Sequence, residues 1–203
     1  YEILGNNVLT FDEIIRIKQV EDVLEKYWND HRMDHTVKYL IHHVFQSPFD
    51  FFQEFGTYWE TRGWSRIGHQ LEDLYTRLIA FLTEAAPHSL PVAESLMKLD
   101  YLERQQFKPR KPWWENTQNK EETSRVLSLL AQYPEMIDGF PALSEKDMHK
   151  HAFVTETAID PLSDQLVPQG EKDFLLIALF DPKQQSTKVF TINKESLQTK
   201  KDA

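Results

Sequence analysis

The chain contains no cysteine. Disulfides are therefore excluded, as are thiolate nucleophiles, cysteine zinc sites and cysteine-ligated iron–sulfur clusters. Glycine is scarce, six in 203 residues, and G-x-G-x-x-G, G-x-x-x-x-G-K and G-x-S-x-G do not occur. Phosphate-cradling loops and the hydrolase nucleophile turn are thereby missing. No apolar run approaches the roughly 18 residues that a membrane-spanning helix needs. There is no secretory signal in the sequence, so a cytoplasmic location is the default expectation. Positive charge is short as well: 23 Lys and Arg face 32 Asp and Glu, a net charge of -9. Neutralising phosphates needs a basic excess, so nucleic acid and anionic membrane surfaces are disfavoured as partners.

What is present is the material of a globular core: 40% hydrophobic and 12% aromatic residues. Thr10 and Glu13, in T-F-D-E, form a capping box. Apolar residues follow at helical spacing: Ile14, Ile17, Val20, Leu24 and Trp28, with Ile15, Val23 and Tyr27 beside them. A second helix is expected over 34–45. Ser47-Pro48 reads as an N-cap with proline at the first helical position, opening a third helix that stops near Gly63. A fourth is expected over 65–86, ended by Pro87, a fifth over 91–106 and a sixth over 120–133. After Gly139 the period changes. HAFVTETAI, DFLLIALF and TKVFTIN are β-rich, with DPKQQST as a hairpin loop between the last two. The expectation is a mostly helical α+β fold, about six helices followed by a small antiparallel sheet or hairpin. It divides into a helical part, 1–140, and a β-rich extension, 141–203, packed on the helices as one folding unit with them. DFLLIALF is apolar on both faces and requires cover from helices.

Few residues stand out chemically. His31 and His35 lie four apart, but across a stretch that reads as a turn. His42 and His43 are adjacent and diverge by about 100° on a helix. His149 and His151 alternate at an expected strand start. All six read as structural or surface residues. A metal-dependent hydrolase built on them is the weakest of three functional readings. The aromatic run at 49–64 has helical spacing and reads as core, with one edge available to another protein. The exception is the connector FKPRKPWWENTQNK. Lys108, Arg110 and Lys111 crowd together beside Trp113 and Trp114, with prolines at 109 and 112. Such a cluster can stack on and neutralise a nucleotide. Equally, the prolines can stiffen it while the tryptophans pin it to the helices. These five residues are the candidate interdomain or substrate-facing site. No catalytic, cofactor-binding or metal-ligating residue can be named.

Several stretches resemble one family in order along the chain. YEILGNNVLTFDEIIRIKQVEDVLEKYWND resembles the segment that follows the barrel in bacterial cobalamin-binding radical SAM proteins, Fe–S oxidoreductases whose C-terminal domain is of unknown function. The matching positions are Tyr1, Leu4, Leu9-Thr10-Phe11, Ile15-Arg16-Ile17-Lys18 and Tyr27-Trp28-Asn29, Trp28 standing where a second Tyr is usual. Ser47-Pro48-Phe49-Asp50-Phe51-Phe52 is similar to the family's S-P-F-x-F-F. LMKLDYLERQQFKPRKPWW matches its Asp-Tyr-Leu, basic proline-bearing segment and Trp, and LLIALFDPKQQSTKVFTI looks like its closing hairpin. The resemblance implies an accessory domain of a radical SAM iron–sulfur enzyme. That enzyme would use a [4Fe–4S] cluster, S-adenosylmethionine and cobalamin, all held upstream. The implied partners are the barrel and the cobalamin-binding domain of the same polypeptide. An opening at Tyr1 with no Met is what such a position would give. The alternative is an independent protein- or RNA-interaction module.

Overall fold

The structure, a computed structural model, describes residues 9–168, 173–181 and 183–199. The lead 1–8 and the tail beyond 199, and with them the resembling Tyr1 and Leu4, lie outside the described residues. The chain divides into two compact units, Tyr1–Leu90 and Pro91–Ala203. The fifth and sixth helices thus group with the strands, whereas the sequence placed them with the helices before residue 140.

In the first unit, helix α1 (Phe11–Leu24) starts at the expected capping box: Glu13 N–H donates to Thr10 Oγ1, and the Thr10 N–H to the Glu13 carboxylate at 2.8 Å. It widens into a π-helical turn, Glu25–Asn29. Helix α2 (Asp34–Tyr39) widens likewise over Leu40–Val44. Helix α3 (Pro48–Thr61) opens with Ser47 Oγ accepting from the Asp50 N–H at 3.1 Å. It ends before Gly63, whose φ of 70° is the left-handed geometry in which only glycine sits without strain. Helix α4 (Leu71–Ala85) starts six residues later than its apolar pattern predicts. Residues 64–66 form a separate 3-10 turn folded back on α3, with Trp64 edge-on to Tyr58 and Trp59 and the Ser65 hydroxyl bonded to Glu60. Ile67 is left 52% exposed. The helix nucleates only where Asp73 accepts the Gln70 N–H at 2.9 Å.

The core of this unit is aromatic, as the run at 49–64 predicts. Phe51, Phe52, Phe55 and Trp59 are buried along α3. Tyr27 meets Phe55 edge-on at 4.9 Å and donates its hydroxyl to the Leu74 carbonyl at 2.8 Å. Phe55 stacks on Phe81 of α4 at 4.8 Å. Each such side chain contributes roughly 1.5–3 kcal/mol through burial. Helix α1 crosses α3 at Gly56, where a Cβ would lie 2.6 Å from the Gln19 carbonyl oxygen. Only a residue without a side chain permits that approach.

The second unit holds helix α5 (Leu90–Arg104), the connector, helix α6 (Lys120–Gln132), helix α7 (Glu145–His151), strands β1 (Ala152–Thr157), β2 (Phe174–Asp181) and β3 (Ser186–Asn193), and helix α8 (Lys194–Thr199). The strands make an antiparallel sheet in the order β1-β2-β3, with Val154 opposite Ile177 and Ile177 opposite Phe190. β2 is central and buried from Phe174 to Phe180, as its two-sided apolar sequence requires. Alternation sends Leu175, Ile177 and Leu179 to one face, where they share a buried cluster with Leu127 and Leu130 of α6 and Met148 of α7. α5 reaches the sheet by polar links: Lys98 donates to the Glu156 carbonyl at 2.8 Å, and Ser95 Oγ accepts from the Ala158 N–H at 3.1 Å. α7 and α8 span seven and six residues, too short to show a helical period in sequence. Hence His149 and His151, expected at a strand start, lie in the last turn of α7.

Candidate functional site on the connector

The connector, 105–119, is irregular but tied along β1 by its side chains. Trp114 donates its indole N–H to Thr155 Oγ1 at 3.0 Å, Asn116 its amide to the Val154 carbonyl at 3.1 Å, and Thr117 its hydroxyl to Glu156 Oε2 at 2.6 Å. Trp114 sits edge-on between Tyr101 of α5 at 5.5 Å and Phe153 of β1 at 6.0 Å, with Trp113 against it at 5.1 Å. Both tryptophans are half-buried. The support of Trp114 is strand as well as helix. The Lys98 ammonium lies 5.8 Å from its ring centroid.

The three basic residues do not act alike. The Lys108 ammonium donates to the His149 carbonyl at 3.1 Å, in the last turn of α7, where carbonyls lack helical partners. Although much of the side chain is exposed, this end is desolvated enough to hold its pKa below the ordinary lysine value. Arg110 and Lys111 are exposed and make no hydrogen bond or ion pair among the described residues. The cluster thus splits into one anchored cation and two free ones.

Sequence reasoning missed Glu156. It is the hub that receives Thr117 on one carboxylate oxygen and the Lys194 ammonium, at 2.5 Å, on the other. Nothing in T-E-T distinguishes this glutamate from a solvated one; only the pairing of β1 shows it. Of the six histidines singled out, His31 adopts a positive φ of 53° and pairs with Asp34 at 3.1 Å, while Tyr39 stacks on His43. Among the described residues no three of His, Asp and Glu converge as metal ligands, and no helix is long and apolar enough to cross a membrane.

No curated protein and no solved structure matches the chain. A family model described as "Protein of unknown function (DUF4080)" matches residues 1–173, most of the length. With that match running from the lead through both units to the start of β2, the chain belongs to the DUF4080 family.

Proposed function

We propose that this chain is the C-terminal accessory part of a radical SAM iron–sulfur enzyme of the cobalamin-binding kind, covering its barrel and shaping substrate access without itself being catalytic. The observation that carries the reading is the order of the resembling stretches along almost the whole chain. They coincide with the supports of the fold. Ser47-Pro48 starts α3, Phe51 and Phe52 fill its core side, Tyr101 and Trp114 pack together, and the final stretch is the β2–β3 hairpin. A likeness lodged in architecture speaks for a shared domain more than for a shared reagent. Radical intermediates need a site closed to water and oxygen, and a helical cap answers that need. Arg110 and Lys111, free and exposed, are where this chain would meet the upstream domains or an anionic substrate.

The residues present do not fit a [4Fe–4S] cluster, because the chain offers no thiolate. Cluster, S-adenosylmethionine and cobalamin therefore belong to upstream domains in this reading. The test is to express the reading frame with whatever precedes Tyr1, reconstitute it anaerobically, and measure iron and release of 5′-deoxyadenosine. The expected result is a cluster-bearing protein whose S-adenosylmethionine cleavage becomes uncoupled from substrate when this chain is deleted. A preceding sequence without C-x-x-x-C-x-x-C, or a reconstituted protein without iron, overturns the proposal. The interaction-module alternative draws on the same free Arg110 and Lys111. Salt-sensitive RNA binding by the isolated chain, lost on Arg110→Ser with Lys111→Ser, would favour it.

A further inference from the structure

A cavity of about 370 Å³ opens between the connector, the first turns of α6 and the junction of α7 with β1. Lys108, Lys120 and His149 line it, with Gln118 and Ser124 beside them and Phe153 among its apolar wall residues. Among the described residues no Asp or Glu lines it, in a chain where acids outnumber bases 32 to 23. Glu121 and Glu122 follow Lys120 on α6 but stay outside the lining. Glu145 lies 3.8 Å from the His149 Nε2 of the lining, and it also accepts the Ser128 hydroxyl.

The Lys108 ammonium is held in place by one neutral carbonyl, which leaves two of its three donors unused. Its lowered pKa marks a cation that has lost hydration without gaining a counter-charge. The side chains of Lys120 and Ser124 make no hydrogen bond among the described residues. The polar wall thus combines the two ammonium groups with the Gln118 and Asn116 amides, the Thr123 and Ser124 hydroxyls and the His149 imidazole; Asn116 and Thr123 already donate to the Val154 and Asn119 carbonyls, and the Asn116 amide oxygen is a buried acceptor without a partner among the described residues. Lysines act on oxyanions as point charges, a role suited to phosphate. The volume is at the small end of ligand pockets, which run roughly 300–1,000 Å³.

We infer that this cavity binds a small phosphate monoester, its dianionic head held by Lys108 and Lys120 and its organic part laid against Phe153. Every residue involved belongs to this chain, so the inference stands whether or not the radical SAM reading does.

The test is NMR titration of the full 203-residue chain, carbon-labelled at the lysines, with inorganic phosphate and with phenyl phosphate against sodium chloride of equal ionic strength. The expected result is saturable movement of the Lys108 and Lys120 signals while those of Lys183 and Lys188, on the β2–β3 hairpin, stay still. The pKa of Lys108 should rise when phosphate is bound, and phenyl phosphate should bind several-fold more tightly than inorganic phosphate. Lys120→Ala should weaken binding about tenfold, the worth of one charge-assisted hydrogen bond. Lys120→Arg should retain it, and neither change should move the melting temperature. Equal shifts at all lysines, shifts reproduced by chloride, or unchanged affinity in Lys120→Ala overturns the inference.

Discussion

At Gly56 the approach of α1 to α3 is decided by the absence of one carbon. Gly56→Ala puts a methyl 2.6 Å from the Gln19 carbonyl. Overpacking of this kind costs about 1–3 kcal/mol, against about 1 kcal/mol gained in helix propensity. A net destabilisation of up to about 2 kcal/mol is expected in urea unfolding. The opposite sign is expected at Gln185, in the β2–β3 turn, where φ is 50°. Gln185→Gly relieves a left-handed conformation that costs about 1–2 kcal/mol for a residue with a Cβ, part of which is offset by unfolded-chain entropy. A gain of about 0.5–1 kcal/mol should appear. Tyr27 adds a pH dependence. Burial drives its pKa well above the ordinary tyrosine value, with smaller influences from Arg77, Tyr75, Arg32 and Asp22. The folded chain therefore keeps the proton that the unfolded chain releases, so stability is intact below about pH 10 and falls as pH rises beyond it. Tyr27→Phe should reduce this alkaline slope without abolishing it, since Tyr39 and Tyr58 are shifted the same way. Caps were legible at this scale because Thr10 and Ser47 act through short-range bonds written in adjacent letters. Gly56 was not, because its partner Gln19 is far away in sequence.

Among the elements, the connector carries the sharpest contrast. Trp114→Ala removes a bond to Thr155 and three edge-on aromatic contacts. Because the ring is half-buried, about 2–4 kcal/mol is expected, below the roughly 3–5 of a fully buried tryptophan. Replacing Arg110 and Lys111 with Ser should stay within about 0.5 kcal/mol in the same denaturation assay. A marked loss there with a silent Trp114 change would mean that the basic residues are structural. Elements of ten or more residues were legible from periodicity, and β2 from its two-sided apolar run. The start of α4 was not, because an apolar Ile67 extends the helical pattern across a turn that Trp64 and Ser65 hold against α3. Of the candidate site, its residues could be found from composition alone. The division of labour between Lys108 and its two neighbours could not, because it depends on where α7 ends.

For the whole molecule, the grouping of α5 and α6 with the strands makes a specific demand. The buried cluster from Leu127 to Ile192 and all three strands lie after Pro91. A fragment of residues 91–203 should therefore unfold cooperatively in urea and keep the near-ultraviolet circular dichroism of Trp113 and Trp114. A fragment cut at 141, the boundary suggested by the change of period, should do neither, since it lacks Leu127, Leu130 and Trp114. Cooperative folding of the shorter piece would place a folding boundary at the change of period instead.

The fastening of the connector to β1 has one more consequence. Side chains, not a strand ladder, cover that margin of the sheet. They can let go without disturbing any pairing between strands. Once released, the outer backbone of β1 becomes a template on which a strand from another copy can settle. Under mild heating this protein should accordingly aggregate by strand addition, with thioflavin-positive assemblies forming sooner in Trp114→Ala and Asn116→Ala than in the wild type. The same connector that offers cations to solvent would then also be the seal that keeps copies of the chain apart.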